Sequence, residues 1–141
     1  MASLMARNAI AGFDHVSLPL QDTDAMVAFY RALDLHVAEQ PHVVSVYVGT
    51  QMINFHRPET WQRDGFTLRA PAATPPCGDL CFVWEGTAEA LRDVLVRAGA
   101  EVEEGPVERV GGRAAGTTRG VSVYVRDPDG NLLEFISYAP R

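Results

Sequence analysis

The chain has 141 residues, enough for one domain with a substantial core. Its 47% hydrophobic and 21% charged residues are the balance of an ordinary globular protein. A net charge of -6 and a pI near 5.1 argue against general nucleic-acid or anionic-membrane binding, and no apolar run approaches a membrane span. Met1 to Asn8 lacks the apolar centre of a signal peptide, so residues 1–9 read as a flexible N-terminal arm. Cys77 and Cys81 lie four apart with no second pair for a zinc knuckle. Reduced thiols in a cytoplasmic protein are the expectation.

Phe13 to Leu20 alternates and reads as a strand, with His15 and Ser17 opposite Val16, Leu18 and Leu20. Pro19 suggests that one edge of this strand is unpaired. Asp22-Thr23-Asp24 offers a cap for a helix over Ala25 to Leu33, whose Met26, Phe29, Tyr30 and Leu33 recur at helical spacing. Leu35–Glu39, Val43–Val48 and Met52–His56 follow as strands, the last two joined through Gly49-Thr50-Gln51. Arg57 to Gly78 is rich in proline and reads as a long irregular connection, a linker or a lid. Asp79–Trp84 is a strand, Thr87 caps a helix over Ala88 to Ala98, and Gly99 ends it. A short strand is expected at Glu101–Glu103. Gly105–Gly120, with Arg109, Arg113 and Arg119 among its glycines, is expected to be a mobile cationic loop.

The last two strands flank Asp127-Pro128-Asp129-Gly130-Asn131, a concentrated turn signal. Beyond it, Leu133 and Phe135 share one face and Glu134 takes the other, a costly place for a carboxylate unless something opposite stabilises its charge. Val-Ser-Val-Tyr-Val occurs at 44–48 and again at 121–125, and both halves run strand, helix, strand, strand, strand. A duplicated βαβββ unit accounts for this order. The expected fold is α+β: two tandem modules, about 10–57 and 78–138, joined by 58–77 and forming a curved mixed sheet around a cleft, helices outside. Matching the halves places Asn54 beside Glu134 and His15 beside Asp79. If a pseudo-twofold relates the modules, these four meet near its axis, where nitrogen and oxygen donors suit Zn, Mn, Ni or Fe(II).

Asp14-His15-Val16, Phe29-Tyr30-Arg31 and Asp127-Pro128-Asp129-Gly130-Asn131-Leu132-Leu133-Glu134, together with the repeat, resemble the vicinal-oxygen-chelate superfamily. That superfamily includes glyoxalase I, extradiol dioxygenases, fosfomycin-resistance thiol transferases and bleomycin-resistance proteins, and the resemblance covers roughly residues 10 to 138. Asp79-Leu80-Cys81-Phe82 with Glu103-Glu104-Gly105-Pro106-Val107 looks closest to small single-domain glyoxalase-like proteins, some described as virulence-associated. The resemblance implies His15 and Glu134 as metal ligands. Asp79 stands where many members have a second histidine, and Asn54 where glyoxalase I has a further glutamate. His56 could supply a replacement nitrogen. Tyr124 and Ser122 match positions near the substrate of the fosfomycin enzymes.

Each residue also has a plainer role. Glu134 can pair with an arginine such as Arg126, His15 can be a hydrogen-bonded sheet residue, and Asp79 can orient His15 from outside the ligand set. Cys81 reads as a small apolar filler. Arg113 and Arg119 either clamp an anionic substrate or are solvated, and Trp61 and Phe66 either close over a ligand or pack beside the core. The leading expectation is an enzyme using a divalent metal as Lewis acid on an oxygen-chelating small molecule, with Glu134 and Tyr124 catalytic. The alternatives are a metal-free binding protein of the bleomycin-resistance kind and a thiol transferase. A homodimer is expected, because open sheet edges need cover.

Overall fold

The structure is a computed structural model and describes residues 9–138; the N-terminal arm expected over 1–9 lies almost wholly outside them. The first module comprises β1 (His15–Pro19), α1 (Thr23–Ala32), β2 (His36–Glu39), β3 (Val43–Val48) and β4 (Gln51–His56). A single helical turn, α2 (Pro58–Trp61), opens the connection. The second module comprises β5 (Asp79–Val83), α3 (Ala88–Ala98), β6 (Glu104–Val110), β7 (Arg119–Arg126) and β8 (Leu132–Ser137). The strands form two four-stranded mixed sheets of identical order, β1-β4-β3-β2 and β5-β8-β7-β6. Each opening strand is parallel to the last strand of its own module. Among the described residues no helix is long and apolar enough to cross a membrane.

Both helices begin where a side-chain oxygen replaces a missing acceptor: Asp22 accepts from the Ala25 amide at 3.2 Å and Thr87 from the Ala90 amide at 3.0 Å. Gly99, at φ 75°, closes α3 in the left-handed conformation that disfavours a Cβ. Met26, Phe29 and Tyr30 of α1 and Leu91, Val94 and Leu95 of α3 are buried in one core with Val44, Phe55, Val125 and Leu133. The Arg97 side chain ties the helices, donating to the Ala32 carbonyl at 3.1 Å and to Asp34 at 2.7 Å. Because the sheets bury their aliphatic face against these helices, alternation delivers the polar set to the helix-free face.

The final-strand match holds in three dimensions. Asn54 lies opposite Ser17 and Glu134 opposite Cys81, each partner being the third residue of its opening strand. The repeated pentapeptide does not superpose. Ser45 lies opposite Asn54, but Tyr124 lies opposite Glu134, and Ser122 falls opposite Ile136. Gly49 and Thr50 alone separate the pairing residues of the first hairpin, whereas Asp127 through Asn131 separate those of the second, so equal sequence is carried to unequal register.

The stretch 101–120 differs from its expected form. Glu101–Glu103 is not a strand; β6 begins at Glu104 and alternates in burial as far as Val110. Two of the glycines taken as loop signals serve close packing. A Cβ on Gly105, at φ 108°, would lie 2.4 Å from the Ser122 carbonyl oxygen, and one on Gly120 would lie 2.7 Å from the Ile136 side chain. Between β6 and β7, residues 111–118 are irregular, with Ala114 and Ala115 in left-handed conformations.

The Asp-Pro-Asp-Gly-Asn turn locks the modules together. Asp127 is buried, accepts the Tyr30 hydroxyl of α1 at 2.6 Å, and takes three further bonds: from the Gly130 and Asn131 amides and the Asn131 side-chain amide. Asn131 in turn accepts the Gly78 amide at 2.8 Å, where the connection ends. Asp129 accepts the amides of Gln21 and Asp22 at 2.7 and 2.9 Å, just ahead of α1.

Candidate functional site

Register lays a row of ionisable side chains across the second sheet: Cys81, Glu134, Tyr124 and Glu104 are successive cross-strand partners on β5, β8, β7 and β6. Ser122, buried and diagonal to Glu134, donates its hydroxyl to the Glu134 Oε2 at 2.6 Å. Arg109 donates through Nε to the Tyr124 hydroxyl at 2.9 Å and through Nη2 to Glu104 at 2.9 Å. That bond occupies a Tyr124 lone pair and leaves its own proton free to be donated. The Cys81 thiol is pushed up to about 12, first by burial and then by the charge and hydrogen bonding of Glu134. It is therefore a protonated neighbour of the carboxylate, and the residue is exposed where a filler of the core was expected.

The first sheet carries a muted version of the same row. Ser17, Asn54 and Ser45 are successive partners, and the buried Ser45 hydroxyl donates to the Asn54 Oδ1 at 2.6 Å. Where the second module holds a carboxylate with a serine, the first holds a neutral amide with a serine.

His15 and Asp79 line a single cavity of about 520 Å³ between the unpaired edges of β1 and β5, with Cys81 beside them. The carboxylate that orients His15 is Asp14, 2.7 Å from Nδ1, and not Asp79. Among the described residues no group of three or more His, Cys, Asp or Glu side chains is placed to hold a metal ion. Ser122 engages Glu134 through Oε2 and Asp14 engages His15 through Nδ1, outer contacts of the kind that metal-ligating carboxylates and histidines make, whereas Asn54 is neutral and engaged by Ser45. In this arrangement His15 and Asp79 share a cavity whose lining does not include Glu134, so the three are not gathered as one ligand set.

The other candidates lie elsewhere. Arg126 bonds Glu103 at 3.2 Å, not Glu134. Arg119 is largely exposed and 3.7 Å from Glu108, and Arg113 stacks on Tyr138 at 4.0 Å. Trp61 donates its indole N–H to the Leu20 carbonyl at 2.8 Å, and Phe66 packs edge-on against His56. Burial of His56, reinforced by Arg69, lowers its pKa. Arg109 lies in the stretch expected to be a mobile loop, and the alternation of Glu104, Pro106, Glu108 with Gly105, Val107, Arg109 is the sequence signal that instead sets it on a strand beside Tyr124.

Residues 12–135 match the model of the Glyoxalase/Bleomycin resistance protein/Dioxygenase superfamily. The chain belongs to that superfamily. Virulence protein STM3117 of Salmonella typhimurium is 35% identical over 130 residues, 89% of this chain and 83% of that protein. Its crystal structure aligns with a TM-score of 0.77, covering 94% of this chain and 100% of that one at 33% identity. The glyoxalase domain-containing protein RDO1 of Mycosarcoma maydis is 34% identical over 131 residues, 92% of this chain and 70% of its own length. An integron cassette protein of V. cholerae aligns with a TM-score of 0.78 at 29% identity, covering 94% of this chain and 98% of that one. Within the glyoxalase superfamily, the two tandem modules are thus the framework that places Asn54 and Glu134 at matching positions.

Proposed function

We propose that this glyoxalase-superfamily chain binds a small oxygen-rich organic molecule on the helix-free face of its second sheet and moves a proton on it without a metal. The observation that carries this is the Glu134–Tyr124 cross-strand pair. Directly opposed side chains on neighbouring strands lie within reach of one small ligand. Glu134, steadied by Ser122, is a proton acceptor, and Tyr124, polarised by Arg109, is a hydrogen-bond donor. An α-hydroxycarbonyl compound matches both. Glu134 takes the proton from the carbon beside the carbonyl. The electron pair moves onto the carbonyl oxygen, which the Tyr124 hydroxyl stabilises; reprotonation at the same carbon completes an exchange, and reprotonation at the former carbonyl carbon, with the proton of the neighbouring hydroxyl passing to the former carbonyl oxygen, completes an isomerisation.

The test is solvent deuterium incorporation into dihydroxyacetone and glyceraldehyde by chelator-treated protein, followed by proton NMR. Exchange above buffer is expected, reduced at least 100-fold in Glu134→Gln and about 10-fold or more in Tyr124→Phe, a range typical of removing one acid–base or oxyanion group. Exchange equal to buffer alone, or abolished by the chelator, would overturn the proposal.

A second reading, the divalent Lewis-acid enzyme, is favoured by the shared His15–Asp79 cavity. The ligand atoms would be Glu134 Oε1 and His15 Nε2, since Ser122 engages Oε2 and Asp14 engages Nδ1. Stoichiometric metal in protein purified without chelator, lost in both His15→Ala and Glu134→Ala, would establish it in place of the first.

The expected homodimer is also a proposal. β1 and β5 each leave an edge unpaired, and Phe13 and Val83 beside that gap are 77% and 53% exposed. Sedimentation equilibrium should give twice the 15.4 kDa chain mass; the single-chain mass would refute it.

A further inference from the structure

A second cavity, of about 510 Å³, lies between the first sheet and the connection that joins the modules. Ser17 and His56 on the sheet and Trp61 on α2 form one side, and Arg69, Ala73 and Cys77 of the connection form the other. None of Glu134, Ser122, Tyr124 or Arg109 borders it.

The feature that singles out this cavity is the state of Arg69. Arg31, Arg57, Arg97, Arg109, Arg119 and Arg126 each have a carboxylate partner. Among the described residues Arg63, Arg69, Arg92 and Arg113 have none, and of these only Arg69 is half-buried and lines a cavity. Its Nη1 donates to the carbonyls of Ala73 at 2.7 Å and Ala70 at 3.3 Å, its Nη2 to that of Pro71 at 3.5 Å, and its guanidinium lies 5.6 Å from the Trp61 ring centroid. Carbonyl dipoles and an aromatic face hold a guanidinium in place but leave its full charge uncompensated. The group is half-buried at a cavity wall, so an anion reaching it is attracted more strongly than at an exposed site.

We infer that the cavity under the connection binds a small organic carboxylate, its carboxylate on Arg69 and its apolar body against Trp61 and the alanine and proline side chains of the connection. A single cation without a cradle of backbone amides suits a monoanion better than a phosphate dianion. The volume falls within the range of small-molecule pockets. Ser17 and His56 supply hydrogen-bonding groups at the far wall.

This site is independent of the Glu134–Tyr124 pair, and its test is chosen to keep the two apart. Isothermal titration of the full chain compares phenylacetate with its neutral isostere phenylacetamide. Phenylacetate should bind in the millimolar range or tighter, at least tenfold more tightly than the amide. It should also slow alkylation of Cys77 by iodoacetamide, since that thiol borders the cavity. Arg69→Gln should weaken phenylacetate at least tenfold, while Glu134→Gln binds it like wild type. Because Arg69 also braces the connection, the acid–amide comparison on the unaltered chain stands without any variant. Equal binding of acid and amide, no binding of phenylacetate in the millimolar range, or loss of binding in Glu134→Gln with retention in Arg69→Gln would each overturn the inference.

Discussion

Asp127→Ala should lower unfolding free energy by on the order of 3–5 kcal/mol, because it leaves several buried donors without an acceptor at once. Asp127 is 4% exposed and receives the Tyr30 hydroxyl, two backbone amides and the Asn131 side chain. Each orphaned buried donor costs roughly 1–3 kcal/mol, a large share of the 5–15 kcal/mol that holds a typical domain together. Urea unfolding monitored by Trp fluorescence measures it; a loss below about 1 kcal/mol would mean that the turn is local and does not join the modules. Tyr30→Phe removes one bond of the same network, so its loss should be smaller, about 1.5–3 kcal/mol for a hydrogen bond to a charged group. The network also has a pH signature. Burial raises the Tyr30 phenol well above its ordinary value of 10.0, and the nearby Asp127 charge raises it further. In alkali the unfolded chain then loses a proton that the folded chain keeps, so stability falls as pH climbs above about 10. Tyr30→Phe abolishes that fall. Burial raises Asp127 as well, against the opposing effect of its hydrogen bonds, so its contribution is greatest in acid and declines as pH rises through its shifted value.

Cys81 should resist alkylation while Cys77 reacts readily, although both residues are exposed. Raising a thiol from 9.0 to about 12 lowers its thiolate population about 1000-fold at neutral pH. The more basic thiolate is intrinsically more nucleophilic, which offsets part of this and leaves a net retardation of about 50-fold. The comparison is made by iodoacetamide labelling and peptide mass spectrometry, native protein against the same thiol in urea. Burial is the leading cause and the Glu134 carboxylate the next, so Glu134→Gln should speed labelling of Cys81 severalfold and leave Cys77 unchanged. An unaltered Cys81 rate in Glu134→Gln would mean that the carboxylate does not face the thiol, and would remove Cys81 from the row opposite Glu134.

Much of this architecture was legible residue by residue. The helices over 23–32 and 88–98 announce themselves through Asp22, Thr87 and Gly99 and through apolar spacing, because caps and periodicity are local properties. The duplicated strand order and the placement of Asn54 opposite Glu134 in the repeat were readable for the same reason. Strand β6 was not. Gly105 and Gly120 look like loop residues until Ser122 and Ile136 are seen pressed against them, and those contacts come from β7 and β8. Arg109 was lost with the strand.

At Glu134 the division is sharpest. Alternation along Leu132-Leu133-Glu134-Phe135 determined that the carboxylate leaves the core, since a strand's side chains must change face at every residue. What it meets there was decided by register: Ser122 on the diagonal, Tyr124 opposite on one side and Cys81 on the other. The identical Val-Ser-Val-Tyr-Val segments make the same point, for the five-residue turn at Asp127–Asn131 carries the second copy to a different alignment from the first. Local sequence sets which way a side chain points. Hairpin length and the packing of one module on the other set its partners, and those distances exist only in the folded chain.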